Sequence, residues 1–321
     1  MSIQYDITHT TVYRYKKPVS FGEHRVMFRP RDSHDLRVLA TDLQVSPEAI
    51  IRMIQDPHSN SVALVQPLSS ALELRIVCSF TIEHAHSDNL ELPVSKASEF
   101  FPFAYTPDER FDLEMYLRPH HNDPQGELMA WARQFIRTDG PSRTRDLLVA
   151  MNEHIRNHMV YNRREEEGTQ SPLDTLKHGS GTCRDFALLM MEAARRLGVA
   201  TRFVSGYLYD PALDTDLSVG VGSDLGGPQI TQGAGSTHAW LQAYLPGAGW
   251  VPFDPTNNFL GGNQLIRVGV ARDPSQAAPV SGSWYGDADA YVGMDASVVV
   301  RRVASRPWRQ TAPTAAVLPS V

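Results

Sequence analysis

The sequence predicts an α+β fold, in which an N-terminal antiparallel β-sandwich-like domain precedes helices packed on an antiparallel sheet. Three observations support this prediction. Residues 1–105 contain short runs of β-branched and aromatic residues separated by turn-forming clusters. From residue 125 the apolar residues recur every three or four positions, as they do on one face of a helix. After residue 198 the strand-like pattern returns.

The first 105 residues are predicted to form a separate β-rich domain. Residues 72–84, LELRIVCSFTIEH, alternate between apolar and polar side chains, which indicates a strand with one buried face. Cys78 lies in this run and is interpreted as a small buried hydrophobic residue. Residues 87–124 are rich in prolines and aromatic residues and are predicted to be ordered coil between two domains.

Residues 106–304 are predicted to form the second domain. Two amphipathic helices are expected within residues 126–138 and 144–161, and a third helix is expected to begin at Cys183. Strands follow in 199–209, 237–245 and 249–253, and a glycine-rich segment, residues 211–236, separates the first two of them. Residues 305–321 are a Pro/Ala-rich tail that is expected to be loosely ordered.

The composition argues against several classes of protein. The 321 residues carry a formal net charge of −6, so no basic surface for nucleic acid is indicated. No stretch approaches the ~18 consecutive apolar residues of a membrane span. The N-terminus lacks the apolar core of a secretory signal, and we therefore expect a cytoplasmic protein.

No metal or cofactor is expected. The chain has two cysteines, too few for a disulfide framework or a cysteine-built zinc site. His154 and His158 have the four-residue spacing of helical zinc ligands, but the glutamate of the HExxH motif is absent.

Cys183 has the sequence environment of a reactive thiol. It follows a glycine-rich turn and stands at the predicted start of a helix, where unpaired backbone N–H groups carry partial positive charge. Such an environment lowers the pKa of a thiol and favours the nucleophilic thiolate. A buried structural cysteine is the alternative interpretation.

His238 and Asp254 are predicted to meet across a hairpin. His238 opens the strand THAWLQAYL, and the turn at residues 246–249 brings VPFD back beside it. Asp254 can then orient the imidazole, as the carboxylate of a catalytic triad does. With Cys183 they form a chemical set in which a thiolate attacks a carbonyl, the imidazole transfers the proton and the carboxylate fixes the tautomer. A lone histidine on a strand is more often structural, and an aspartate before proline is usually a turn former.

These segments resemble the bacterial transglutaminase-like superfamily, which shares a papain-like Cys-His-Asp core. The resemblance rests on GTCRDFALLMMEAARRLGVATRFVSGYL, on STHAWLQAYLPGAGWVPFDPTNN, and on THTTVYRYKKPVS, MFRPRDSHD and DPHSNSV in the N-terminal half. It implies a transglutaminase-like (papain-like) core at residues 106–304, preceded by the N-terminal β domain of bacterial members. It also implies a catalytic triad of Cys183, His238 and Asp254.

Further site residues are predicted with less support from the sequence. The backbone N–H of Cys183 is expected to serve as one oxyanion donor. The resemblance suggests an aromatic or amide side chain upstream as the other, and Tyr161 and Gln170 are the candidates. Trp240 and Asp185 are candidates for the wall of the cleft, although a buried core tryptophan is an equal alternative.

The leading hypothesis for function is hydrolysis of a peptide or isopeptide bond through a Cys183 thioester. A protein-glutamine transamidase would use the same intermediate with an amine in place of water, and residues 211–236 could then act as a lid that excludes water. A non-catalytic protein- or peptide-binding module is the third hypothesis. Family analogy implies a peptide or protein substrate and an association with ATP-dependent peptide- or amide-forming proteins.

Overall fold

The computed structural model describes residues 2–85, 93–162, 168–213, 231–261 and 264–303. Its first part consists of strands alone: β1 (Ser2–Phe21), β2 (His24–Val26), β3 (Leu36–Ser46), β4 (Ala49–Gln55), β5 (Ser61–Pro67) and β6 (Ala71–Ala85). Strands β1, β6 and β3 are neighbours in one antiparallel sheet, and β2, β5 and β4 are neighbours in another. The predicted N-terminal antiparallel β region is confirmed.

Strand β6 shows why this region folds as sheets. Its apolar residues from Leu74 to Ile82 are buried at every second position, and the residues between them are half-buried or exposed. Cys78 is one of the buried residues, and burial raises the pKa of its thiol to about 11. It therefore behaves as the buried hydrophobic residue that the alternation predicts.

The segment between the β region and the helices is more regular than predicted. It contains a 3₁₀ turn (Lys96–Ser98), β7 (Phe100–Phe101), α1 (Pro107–Asp112) and α2 (Glu114–Leu117). The prediction of coil was wrong there because a capping box was overlooked: Thr106 and Glu109 bond each other's backbone N–H groups, with Pro107 in the first turn.

The helical part begins at residue 127. Its elements are α3 (Glu127–Arg133), β8 (Ser142–Arg143), α4 (Thr144–His158), β9 (Val160–Tyr161), α5 (Pro172–His178), β10 (Ser180–Gly181) and α6 (Cys183–Arg196). Helix α6 begins at the residue that the sequence predicted. Among the described residues, no helix combines the length and the apolar character needed to cross a bilayer.

A five-stranded antiparallel sheet lies against α6. It consists of β11 (Thr201–Leu208), β12 (Thr237–Leu245), β13 (Gly249–Asp254), β14 (Phe259–Leu260) and β15 (Leu265–Ala271), in the order β14-β13-β12-β11-β15. Strands β12 and β13 pair in antiparallel register, with Leu241 opposite Phe253, which confirms the predicted hairpin. With α6 packed on it, the sheet confirms the predicted α+β fold class of helices on an antiparallel sheet.

The chain then returns to the N-terminal sheets. After a 3₁₀ turn (Pro274–Ala277), β16 (Val280–Ser281) pairs with β2, while β17 (Trp284–Tyr285) and β18 (Tyr291–Val303) pair with β1. The predicted domain limits, 1–105 and 106–304, stay a prediction. The tail at 305–321 lies outside the described residues, as do residues 214–230 of the glycine-rich segment.

Helix α6 is buried on all sides, not along one stripe as its sequence suggests. It packs on β11 and β12 and also contacts α3, α4 and α5. Glu192 is therefore inside the protein, where its carboxylate pairs with Arg195 and Arg196, both at 2.9 Å. It also accepts the backbone N–H groups of His120 and His121, each at 3.1 Å. This carboxylate fixes the connecting segment to the central helix.

Arg195 extends the same network. Its guanidinium donates to the backbone carbonyls of Tyr116 (3.1 Å), Thr201 (2.8 Å) and Arg272 (2.6 Å). The side chains of Arg195 and Glu192 are both fully buried, so each charge depends on the other for compensation.

Replacing Glu192 with glutamine should destabilise the protein by about 3 kcal/mol, because the change leaves a buried guanidinium without its counter-charge. Urea unfolding followed by circular dichroism measures this loss. Glu153→Gln is the matched control: it removes an exposed helical carboxylate and should cost less than about 0.5 kcal/mol. Equal stabilities of the two variants would contradict the role assigned to Glu192.

Candidate active site

Cys183 is the first residue of α6 and is 8% exposed. Its thiol therefore lies within the first turn, where N–H groups lack intrahelical partners and favour negative charge. The strand pair β9–β10 holds the preceding residues, with Tyr161 opposite Gly181. The residues before the helix are thus held by a two-stranded parallel sheet of their own.

His238 and Asp254 form a buried pair across the β12–β13 hairpin. His238 is the second residue of β12, Asp254 is the last of β13, and Nε2 of the ring lies 2.8 Å from Oδ2 of the carboxylate. Both side chains are inaccessible to solvent. The other ring nitrogen, Nδ1, is also buried, and no described residue meets it with hydrogen-bond geometry. Since Asp254 occupies Nε2, Nδ1 is left for the thiol of Cys183, which interacts with this ring.

The surroundings of the pair favour a protonated His238 and an ionised Asp254. Burial alone would lower the pKa of His238, but the charge and hydrogen bond of Asp254, together with Cys183, raise it to about 10. Burial alone would raise the pKa of Asp254, yet His238 lowers it. Asn257 and the backbone N–H of Thr256 add to this lowering. The arrangement therefore holds an imidazolium beside an ionised carboxylate.

The pKa of Cys183 is lowered, whereas that of His238 is raised. Burial would raise the pKa of the thiol, but the interaction with the His238 ring and the charge of that ring lower it below its ordinary value. Arg184 and the backbone N–H of Ala239 contribute in the same direction. A lowered thiol pKa next to a raised histidine pKa is the electrostatic pattern of a thiolate–imidazolium pair. The structure thus brings together the three residues that the sequence predicted as a triad.

The two oxyanion candidates differ in their surroundings. Tyr161 pairs with Gly181, two residues before Cys183, and its half-buried ring packs edge-on against Phe186 at 6.4 Å. Gln170 donates its side-chain amide to Thr175 Oγ1 (3.0 Å) and to the Ser180 carbonyl (3.1 Å). Because both amide hydrogens are already used in supporting the loop, the geometry favours Tyr161.

Both cleft candidates are buried. Trp240 is 1% exposed and belongs to a buried cluster on the face of the sheet opposite α6, with its ring stacked 6.0 Å from that of His238. Asp185 is fully buried and accepts hydrogen bonds from the backbone N–H groups of Thr182 (2.8 Å) and Gln170 (2.7 Å). Their burial does not support a place on the cleft wall, and that assignment stays a prediction. Trp240 supports the histidine ring, and Asp185 caps the helix that presents Cys183.

Asn257, which no sequence pattern singled out, contacts the pair. Asn257 donates from Nδ2 to Asp254 Oδ2 at 2.9 Å, and the backbone N–H of Thr256 donates to Oδ1, also at 2.9 Å. Both residues belong to the motif FDPTNN, in which only the aspartate was assigned a role. The signal was a polar run directly after a strand, where side chains commonly bond back to the preceding aspartate.

Comparisons with known families cover both parts of the chain. The Transglutaminase-like superfamily matches residues 129–255, a range that includes Cys183, His238 and Asp254. The Bacterial transglutaminase-like N-terminal region matches residues 5–83, which correspond to strands β1–β6.

Similar proteins match most of the length of this chain. An uncharacterized protein from Mycobacterium leprae is 26% identical over 280 residues, which cover 87% of this chain and 92% of that protein. An uncharacterized protein from Mycobacterium tuberculosis is 26% identical, with 92% of each chain covered. A crystal structure of a proposed cysteine protease from Cytophaga hutchinsonii has the same fold, with a TM-score of 0.66, 19% identity, and 95% and 92% of the two chains covered. The chain therefore contains a transglutaminase-like core, preceded by the N-terminal region found in bacterial members of that superfamily.

Proposed function

We propose that the protein is a cysteine-dependent amide-bond hydrolase that acts on peptides or proteins through a Cys183 thioester. One observation carries this proposal: a buried thiol at the start of α6 lies beside an imidazole whose far nitrogen is held by a buried carboxylate. Thiol, imidazole and carboxylate in this order are the parts that nucleophilic catalysis of acyl transfer needs.

In the first half of the reaction, the thiolate of Cys183 attacks the carbonyl carbon of the amide. The C–N bond breaks, the leaving nitrogen takes the proton from Nδ1 of His238, and the acyl group remains on Sγ as a thioester. Asp254 keeps the Nε2 proton in place and stabilises the imidazolium before the transfer. The reactive ion pair exists above the lowered pKa of Cys183 and is lost near pH 10, where His238 deprotonates.

In the second half, a water molecule attacks the thioester carbon and gives a proton to Nδ1. The C–S bond breaks, the carboxylic acid leaves, and the thiolate is restored. Donors for the oxyanion formed in each half are proposed to be the backbone N–H of Cys183 and the side chain of Tyr161, which lies beside the preceding loop.

A cellular location and a class of partner are also proposed for this protein. The proposed location is the cytoplasm, and the formal net charge of −6 supports a peptide ligand, not a nucleic acid. Family analogy supports an association with ATP-dependent peptide- or amide-forming proteins.

The rate at which iodoacetamide alkylates Cys183, measured against pH by mass spectrometry, should give an apparent pKa clearly below the free value of ~8.5. In His238→Ala the apparent pKa should rise to the free value or above, because burial then acts on the thiol without the imidazolium charge. Cys78 is an internal control and should remain unmodified, since burial raises its pKa to about 11.

If Cys183 titrates like a free thiol in both proteins, the proposed enzyme loses its nucleophile. A non-catalytic binding module is then the better interpretation of the fold.

The two fates of the thioester are distinguished by adding an amine. Peptide amides that contain glutamine or a lysine isopeptide should yield the free acid at a rate that methylamine does not change, because the triad and water suffice for hydrolysis. Mass spectrometry of the products makes the distinction. Methylamide products that replace the acid would show a transamidase instead, and Cys183→Ala should abolish either product.

A further inference from the structure

Residues 231–236 directly precede β12, and residues 232 and 233 lie next to Asn257 and to the His238 ring. The start of this segment is fixed by Asp210, a buried residue two positions after β11, whose Oδ2 accepts the backbone N–H of Thr231 at 2.6 Å. Its end is fixed by the N-terminal sheet, since the N–H of Val298 in β18 donates to the carbonyl of Gly235 at 3.1 Å. The segment is thus held by hydrogen bonds at both ends.

Asn257 joins the middle of this segment to the triad carboxylate. Its Oδ1 accepts the backbone N–H of Gln232 at 3.1 Å, and its Nδ2 donates to the carbonyl of the same residue at 3.1 Å. The second hydrogen of Nδ2 goes to Asp254 Oδ2 at 2.9 Å. An amide has two donor hydrogens and one acceptor oxygen, so the side chain is fully used in this bridge.

Gly233, the next residue, lies against the imidazole. A Cβ placed on it would stand 2.5 Å from Nδ1 of His238, closer than side chains approach each other in folded proteins. Nδ1 is the nitrogen left for Cys183. The segment therefore shields the ring at the atom that exchanges the proton, and it can do so because residue 233 has no side chain.

We propose that Asn257 is a positioning residue, which clamps the 231–236 segment onto Asp254 and thereby holds the His238 ring in place beside Cys183. The proposal rests on the proposed function, because it assigns a role in the same proton transfer. Two physical effects follow from the clamp. Asp254 gains a third hydrogen bond that fixes the orientation of its carboxylate, and Gly233 keeps water away from the charged ring, so that the His238–Asp254 interaction is not screened.

Asn257→Ala should release the segment and let water reach the pair. The apparent pKa of Cys183, measured from its alkylation rate against pH, should then rise by about one unit toward the free value. A purely structural asparagine would lower the melting temperature but leave this pKa unchanged.

Two glycine variants test the contact without removing any hydrogen-bonding group. Gly233→Ala should also raise the apparent pKa of Cys183, because the added methyl group must displace either the segment or the ring. Gly235→Ala is the matched control. Its φ of +79° is close to the +92° of Gly233, so the backbone strain is similar, but its nearest neighbour would be Leu213 Cδ1 at 3.7 Å. It should alkylate like the wild type.

The outcomes separate this inference from the proposed function. A lowered pKa in the wild type that persists in both Asn257→Ala and Gly233→Ala would overturn the positioning role and leave the enzyme intact. A wild-type Cys183 that titrates like a free thiol would remove the proposed function, and the positioning role with it. A shift in Gly233→Ala equal to that in Gly235→Ala would also count against the contact with His238.

Discussion

The hydrogen bond between His238 and Asp254 is the interaction on which the organisation of the site depends. It buries an imidazole and a carboxylate together at 2.8 Å, where neither has access to water. A buried charge is tolerated only with a partner, so the hairpin, the polar residues after β13 and the 231–236 segment must all keep these groups in place. Because Asp254 binds Nε2, Nδ1 faces the thiol of Cys183, and the charge of the ring lowers the pKa of that thiol.

The helix that presents Cys183 is constrained at both of its ends. At the N-terminus, Asp185 caps the first turn and also accepts the backbone N–H of Gln170. Toward the C-terminus, Glu192 and Arg195 bind backbone groups of the connecting segment and of the loop after β15. A nucleophile must be held within a fraction of an ångström of its base for efficient reaction. The buried charged residues of α6 therefore hold the helix, and with it Cys183, in a fixed position.

Local patterns predicted much of the fold. The alternation in β6, the helix that starts at Cys183 and the hairpin of β12 and β13 all follow from the spacing of apolar residues and from turn residues close in sequence. The same reasoning failed where the partner is distant or polar. Nothing near β18 indicates that it pairs with β1, almost 300 residues earlier in the chain, because antiparallel register depends on a partner that the local sequence does not contain. The contacts of Asp185 and Asn257 were not predicted because they are made with backbone groups of other loops.

The proposed chemistry requires that Cys183, activated by His238, forms an acyl-enzyme. Incubation with p-nitrophenyl acetate, followed by mass spectrometry of the intact protein and its peptides, tests this step without knowledge of the natural substrate. We expect an acetyl group on Cys183 that hydroxylamine removes, much slower acylation in His238→Ala, and no acetyl group on Cys78. Acylation that is absent from Cys183, or equally fast without His238, would contradict it.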